Sequence, residues 1–455
     1  MNLNPLFKPK TLAVIGVSST NDQHPANVIY NKNFHRYPVE VFAVNPRGGS
    51  IHGETSFESV SDIDKIIDLA VIAVRAQYVP DIIQDCIKAG VGSAILISGG
   101  FAEIGQLELQ EHIVAIAKEA DFPFLGPNCL GIYVPMLVDT LFLPIERMVK
   151  PEPGKVAFIS QSGGILVDHM IKFASEGVGL SKAISIGNKA LIRELDLLNY
   201  LAKDNETQVL AFYIEGFYKN EGREFVLEAE KCSKPVIVMK SGKSPAGSKA
   251  VSSHTASLAG DYESFSAVMA QHGIVEAENE FELVSFCESL SAYRKSINGN
   301  IGIITGSGGH GAMAVDACFV HGLDVPNISE KIRKSIISEL SPNVSLIASV
   351  RNPIDLTGSA VDEDFIAVAS VLSQMPEIDC IIVLLLPYLP GVSSDLGSKL
   401  SSIYKKFNKP LIAYVPHVEK YSMLIEGFEL NGIPVSPFIE GSVLMAKALR
   451  RNKPW

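Results

Sequence analysis

The residues of this chain best suited to chemistry are one imidazole, one carboxylate and one glycine-flanked turn. His254 lies within residues 242–260, a stretch of small and hydroxylated residues that contains Ser252-Ser253-His254-Thr255. An apolar run, Pro235-Val236-Ile237-Val238-Met239-Lys240, precedes it, and a helical pattern starts near Tyr262. Glycine and serine loosen the backbone, so the composition predicts a long loop, and long loops inside compact domains are commonly functional. A histidine on such a loop can act as a nucleophile that carries a group between two places. A solvated surface histidine is the other reading. Glu215 follows the apolar run Val209-Leu210-Ala211-Phe212-Tyr213-Ile214, and Ser160-Gln161-Ser162-Gly163-Gly164 joins an apolar run to the helical pattern that starts at Ile165. Backbone N–H groups at a helix start bind anions, and glycines permit close approach; ordinary turn glycines are the alternative. Together the three fit a phosphoryl carrier. The carboxylate would fix the imidazole tautomer and offset its charge, while the helix start would stabilise the phosphate at Ser162, Gly163 and Gly164.

The elements that must position these groups recur three times as an apolar run, a Gly/Ser turn and a helical pattern. The three openings are Leu12-Ala13-Val14-Ile15-Gly16, Val156-Ala157-Phe158-Ile159-Ser160 and Ile301-Gly302-Ile303-Ile304-Thr305-Gly306. Continuous apolar runs suit strands buried on both faces of a parallel sheet. Their alternation with helices predicts an α/β fold of three consecutive Rossmann-like or flavodoxin-like parallel-sheet domains. The expected boundaries are 1–145, 155–297 and 300–455, with a Pro-rich charged linker at 146–154 and a polar boundary at 291–300.

In the first domain, strands are expected near 12–16, 39–44, 69–74, 93–98 and 122–125. In open α/β sheets the ligand crevice lies beyond the carboxyl ends of the strands. The turn at Gly16 is not GxGxxG, so the dinucleotide fingerprint of a dehydrogenase is absent. Arg47 stands where an NAD enzyme usually carries an acidic ribose ligand, which suits a phosphorylated ribose; a plain surface arginine is the alternative. In the third domain, strands are expected near 301–304, 379–386 and 410–415. His310 is a rival phosphoryl carrier there, but its short turn leaves little reach. Asn352-Pro353-Ile354-Asp355-Leu356 reads as a structural turn.

Composition narrows the class. The 455 residues carry 39 basic and 50 acidic groups, a formal charge of −11, which argues against a nucleic-acid or anionic-membrane surface. No apolar run reaches the ~18 residues of a membrane span, and the start, Met1-Asn2-Leu3-Asn4-Pro5, does not read as a signal peptide. Six cysteines without CxxC pairs fit a reduced cytoplasm, and no histidine sits at zinc-ligand spacing. No metal site is expected.

The motifs, taken together, resemble a known family. Ala13-Val14-Ile15-Gly16-Val17-Ser18, Ala43-Val44-Asn45-Pro46, Ser98-Gly99-Gly100-Phe101-Ala102-Glu103, Gly126-Pro127-Asn128-Cys129-Leu130-Gly131, the Ser160 turn, Ser253-His254-Thr255 and Asn352-Pro353-Ile354-Asp355-Leu356 make the chain similar to the α subunit of nucleoside-diphosphate-forming acyl-CoA synthetases, relatives of succinyl-CoA synthetase. The resemblance implies a CoA-binding first domain, with Gly16, Ser18, Ser19, Asn45, Pro46, Arg47, Val74, Ser98, Gly99, Gly100 and Asn128 at the cofactor. It implies a phosphohistidine at His254 oriented by Glu215. The implied reaction is acid, CoA and ATP to acyl-CoA, ADP and phosphate, reversibly, through an acyl phosphate. The Mg-nucleotide site would belong to an ATP-grasp β subunit in an α2β2 assembly, and the small acid or acyl-CoA would be the substrate. One segment departs from the family pattern: Leu191 and Arg193 stand where acidic residues are common. A catalytically quiet CoA-binding regulatory chain and a nucleotide-independent acyl transferase are the rival readings, and a dehydrogenase ranks last.

Overall fold

The computed structural model describes residues 1–218, 220–254 and 261–450, and the side chains of residues 252–254 lie outside that description. Three sheets organise it. The first contains β1 (Thr11–Ile15), β2 (Glu40–Val44), β3 (Ser50–Ile51), β4 (Glu54–Phe57), β5 (Leu69–Ile72), β6 (Ser93–Leu96) and β7 (Phe124–Leu125), in the order β3-β4-β2-β1-β5-β6-β7. Only β3 runs antiparallel to its neighbour. The second contains β8 (Ile132–Val134), β9 (Val138–Asp139), β10 (Pro153–Ser160), β11 (Leu180–Ser185), β12 (Val209–Ile214), β13 (Val236–Lys240) and β14 (Val275–Ala277), in the order β14-β13-β12-β10-β11-β8-β9. The third contains β15 (Ile301–Thr305), β16 (Ser349–Val350), β17 (Ile354–Asp355), β18 (Cys380–Leu384), β19 (Leu411–Tyr414) and β20 (Val435–Ser436), in the order β16-β17-β15-β18-β19-β20. The expected α/β architecture is present. The central strands β5, β6, β11, β15 and β18 are buried at every residue, as helices on both faces of a parallel sheet require.

The chain divides into two compact units, Met1–Glu278 and Asn279–Trp455, and this shifts the expected boundaries. The hairpin β8–β9 falls within 1–145 yet belongs to the second sheet, where β8 pairs antiparallel with β11. A helix of the first sheet grips that hairpin: the Asn33 amide bonds both Asp139 O (2.7 Å) and Asp139 N (3.0 Å). Buried Asp139 also takes Lys32 (2.9 Å) and Lys150. At the other boundary, the helix Glu280–Ala292, expected in the second domain, packs within the second unit. Its residues 282–290 are all buried, and Ser289 donates to Met445 O (2.7 Å) on the helix Ile439–Leu449.

The expected loop at 242–260 is partly helical. Pro245–His254 forms a helix because Pro245 opens it with a φ already suited to the first turn. Ser244 supports that turn, its Oγ accepting from Gly247 N (3.1 Å). Residues 349–356 also differ from expectation. Ile354–Asp355 pairs parallel with β15, and the Asn352 side chain bonds Ile301 O (2.7 Å) and Ile303 N (3.0 Å), doing the work of a neighbouring strand.

Candidate functional site

At the carboxyl edge of the first sheet, β1 ends on Gly16. Its φ is +103°, and a Cβ there would lie 2.5 Å from Ala73 O, so only glycine lets the ends of β1 and β5 approach this closely. Ser18 Oγ accepts from Thr20 N (3.2 Å) and Asn21 N (3.1 Å), which curls the following turn, and Ser19 is exposed on it. Asn45 donates to Val17 O (2.6 Å) and accepts from Arg47 N (2.9 Å), tying the turn after β2 to the turn after β1. Pro46 and Arg47 are exposed. Val74 continues β5 into Arg75, a residue the sequence reading missed. Arg47 and Arg75 are both exposed, and neither guanidinium has a hydrogen-bond or ion-pair partner among the described residues. Because β2 and β5 flank β1, the two cations stand on either side of the Gly16 turn. The signal for Arg75 was its place as the first cation after a buried strand.

Beyond β6, Ser98 donates to Val74 O. A Cβ on Gly99 would lie 3.1 Å from Glu103 Oε1 and 3.2 Å from Asn128 Oδ1, so these three positions converge. The amides of Gly100 and Phe101 both donate to the Glu103 carboxylate. Gly100 N–H is therefore committed within the chain. Burial pushes the Glu103 carboxyl up, but the Asn188 side chain and these amides outweigh it and hold the group below the usual carboxylate range. Asn128 bonds Asn188 (3.3 Å). Gly187, at φ +53°, sits so close to Pro127 O and Asn128 O that a Cβ would lie 2.4 Å from each. The segment after β11 is thus seated directly on the 126–131 turn. Cys129 in that turn is buried, and burial pushes its thiol up to about 12, which removes it as a thiolate nucleophile near neutral pH.

At the carboxyl edge of the second sheet, Ser160 Oγ donates to Ser162 O (2.6 Å) and accepts from Ser162 N (3.2 Å). Ser162 caps the helix Gly163–Ser175, whose first N–H groups have no intrahelical partner. A Cβ on Gly164 would meet nothing nearer than Ser162 Oγ at 4.0 Å, whereas one on Gly163 would lie 3.3 Å from Leu130 Cβ. The turn is therefore backed by protein on one side and open on the other.

Glu215 sits half-buried at the end of β12, its Oε1 3.5 Å from Tyr213 OH. Its backbone is held from three sides. Gln161 Oε1 accepts from Glu215 N and Gly216 N, and Gln161 Nε2 donates to Gly216 O (2.8 Å). Lys189 Nζ also donates to Gly216 O, and Lys240 Nζ donates to Glu215 O (2.8 Å). Glu194 Oε1 joins the first two by accepting from Gln161 Nε2 and Lys189 Nζ (2.6 Å). Burial lowers the Lys240 pKa, partly countered by the Glu215 charge. Sequence reasoning missed Lys189, Glu194 and Lys240, and read Gln161 only as a turn residue.

His254 closes its helix, and its side chain lies outside the described residues, as do residues 255–260. Leu191 is packed in the core of the first sheet. Arg193 stacks 3.8 Å from the Tyr218 ring, reaches Glu221 (3.5 Å) and donates to Lys189 O (3.2 Å). In the third sheet, His310 Nδ1 is 3.1 Å from Ser307 Oγ. The turn there repeats the second sheet's design, with Thr305 Oγ1 donating to Ser307 O and accepting from Ser307 N, both at 3.1 Å. It differs in two respects: the Ser307 side chain does not cap its helix, and a Cβ on Gly308 would lie 3.1 Å from Asp355 Oδ2. No group of three or more His, Cys, Asp or Glu among the described residues could hold a metal, and no described helix is long and apolar enough to cross a membrane.

Comparison with known proteins agrees with this layout. Residues 10–135 match the family described as CoA binding domain, and residues 153–290 match the succinyl-CoA ligase like flavodoxin domain. The chain is 40% identical over 403 residues to acetate–CoA ligase [ADP-forming] I of Archaeoglobus fulgidus, covering 86% of this chain and 57% of that protein. It spans 49 to 65% of two other longer relatives. It is 34% identical to acetate–CoA ligase [ADP-forming] II subunit alpha of Pyrococcus furiosus, covering 98% of this chain and 97% of that one. Among solved structures, the dinucleotide forming acetyl-coenzyme A synthetase 1 of Ca. Korarchaeum cryptofilum, in complex with phosphate and ADP, superposes with a TM-score of 0.89 at 29% identity, covering 98% of this chain and 96% of that chain. With a full-length match to an α subunit and the same fold throughout, this chain belongs to the family of ADP-forming acyl-CoA synthetases.

Proposed function

We propose that this chain supplies the α-subunit part of an ADP-forming acyl-CoA synthetase. In the breakdown direction, phosphate displaces CoA from an acyl-CoA to give an acyl phosphate. His254 takes the phosphoryl group and releases the carboxylic acid, and ADP then takes it from His254 to give ATP; the reverse sequence makes acyl-CoA. Ser162, Gly163 and Gly164 receive the phosphate, and Glu215 orients and charge-balances the imidazole. Gly16, Ser18, Ser19, Asn45, Pro46, Arg47, Val74, Ser98, Gly99, Gly100 and Asn128 border the CoA, with Arg75 as a second cation for its phosphates. The Mg-nucleotide binds an ATP-grasp partner in an α2β2 assembly, and the enzyme works in the cytoplasm.

The observation that carries this reading is the pairing of an open, serine-capped helix start with a carboxylate on the adjacent strand end. An open N–H cluster suits phosphate, and a neighbouring carboxylate would repel it unless a cation such as a charged imidazole came between them. The test is the intact mass of the chain, mixed with an ATP-grasp partner and either Mg-ATP or acetyl-CoA plus phosphate, before and after mild acid. One acid-labile phosphate is expected, and it is absent from His254→Ala, which still binds CoA. Unchanged turnover in His254→Ala would refute the proposal, and no phosphate with a competent partner would favour a CoA-binding regulatory role.

A further inference from the structure

We propose that Gln161, Lys189 and Lys240 are positioning residues that hold Glu215 in register with the phosphate turn, an inference that rests on the phosphohistidine reading. The three come from three different strand ends. Gln161 follows β10, Lys189 follows β11 and Lys240 ends β13, and in the sheet β13 and β10 are the two strands on either side of β12. Between them they occupy both N–H and both C=O groups of Glu215 and Gly216. Strand ends ordinarily leave such groups to water or to a following turn. Here four consecutive backbone groups are bonded by side chains that are only 6, 8 and 6% exposed.

Stability alone is a poor reason for this arrangement. A buried ion pair such as Lys189–Glu194 recovers little beyond its own desolvation, and an apolar filling would serve the core as well. Glu194 Oε2 has no hydrogen-bond partner among the described residues, so the pair is not optimised as a pair. What the cluster does achieve is geometric. Among the described residues the Glu215 side chain has one hydrogen bond, a weak one from Tyr213, so its position follows its backbone, and that backbone is held by Gln161, Lys189 and Lys240. Gln161 also lies between Ser160 and Ser162, so the same residue fixes the spacing of carboxylate and phosphate turn. Misplacing a reacting group by about 1 Å can cost on the order of 100-fold in rate.

The experiment is single-turnover phosphorylation of the full chain by acetyl phosphate, followed by intact mass, for Gln161→Met, Lys240→Met, Glu215→Gln and the two double variants carrying Glu215→Gln. Each Met variant should slow phosphorylation about 10- to 100-fold while leaving the affinity for CoA within about 2-fold of the parent. In the Glu215→Gln background the same changes should cost less than about 2-fold, because groups acting as a unit are not additive. A Met substitution that multiplies fully onto Glu215→Gln, or one that leaves the parent rate unchanged, would overturn the assignment. If Gln161→Met does not fold, the Lys240→Met pair decides. Glu215→Gln at the parental rate would instead remove the orienting role given to Glu215, whereas a phosphate that persists in His254→Ala would sink the phosphohistidine reading itself.

Discussion

A single glycine sets the approach of two strands at the first sheet's edge. Gly16 takes φ +103° with Ala73 O 2.5 Å from where a Cβ would be, so Gly16→Ala meets both backbone strain and a carbonyl that cannot move. We expect a loss of about 1–3 kcal/mol in stability and weakened CoA binding, read by denaturant unfolding and titration calorimetry; a variant matching the parent in both would remove the turn from the site. The places of such residues at strand ends were legible in the sequence. Gly16, Ser162 and Glu215 each follow a buried apolar run, and the edge of a parallel sheet is where such runs deliver chemistry. Gln161, Lys189 and Lys240 were not, because their contribution is made by hydrogen bonds to the backbone of a strand far away in the chain. The nearest sequence signal was Lys240, a cation closing an otherwise apolar strand. Leu191 and Arg193, which stood out against the family pattern, divide into a core residue and a half-buried one stacked on Tyr218.

At the scale of elements, the sequence reading found most of the long apolar strands but missed β11, whose Ser181, Lys182 and Ser185 break its apolar run, and of the two-residue strands it found only β7. β3, β4, β8, β9, β16, β17 and β20 have two to four residues each, too few for a period to show. Missing β8–β9 had the largest effect, since that hairpin carries the link between the two sheets of the first unit. Asp139 is fully buried and receives Lys32 and Lys150, so Asp139→Asn leaves two ammonium groups without their counter-charge. Removing one partner of a buried ion cluster costs about 3–5 kcal/mol, and calorimetry should show a correspondingly lower melting temperature. An unchanged melt would mean that the hairpin is held by its apolar contacts alone. The helix Pro245–His254 was missed for another reason: its serines and glycine read as loop, whereas Pro245 and the Ser244 hydroxyl favour a first helical turn.

At the scale of the molecule, the repeated openings indicated three sheets, and three are present, but the chain packs as two units. Apolar runs identify sheets; they do not reveal which helix covers which sheet. The helix Glu280–Ala292 illustrates this, for its buried length faces Ile439–Leu449 and the third sheet, where Glu288 accepts from Val435 N (2.7 Å). A fragment of residues 279–455 should therefore give a cooperative melt and dispersed amide resonances, and one of residues 298–455 should not. Equal behaviour of the two would show that this helix is dispensable to the second unit. The two serine-threonine turns of the chain share one backbone design but differ at Asp355, whose carboxylate stands beside Gly308. That carboxylate is held on the adjacent strand, where it accepts from Thr357 N (2.9 Å), and a group fixed so close would have a high effective concentration against any dissolved anion at that helix start. Of two copies of one turn, the third sheet's therefore has a carboxylate of its own sheet standing beside the helix start, and the second sheet's has none of its own there among the described residues.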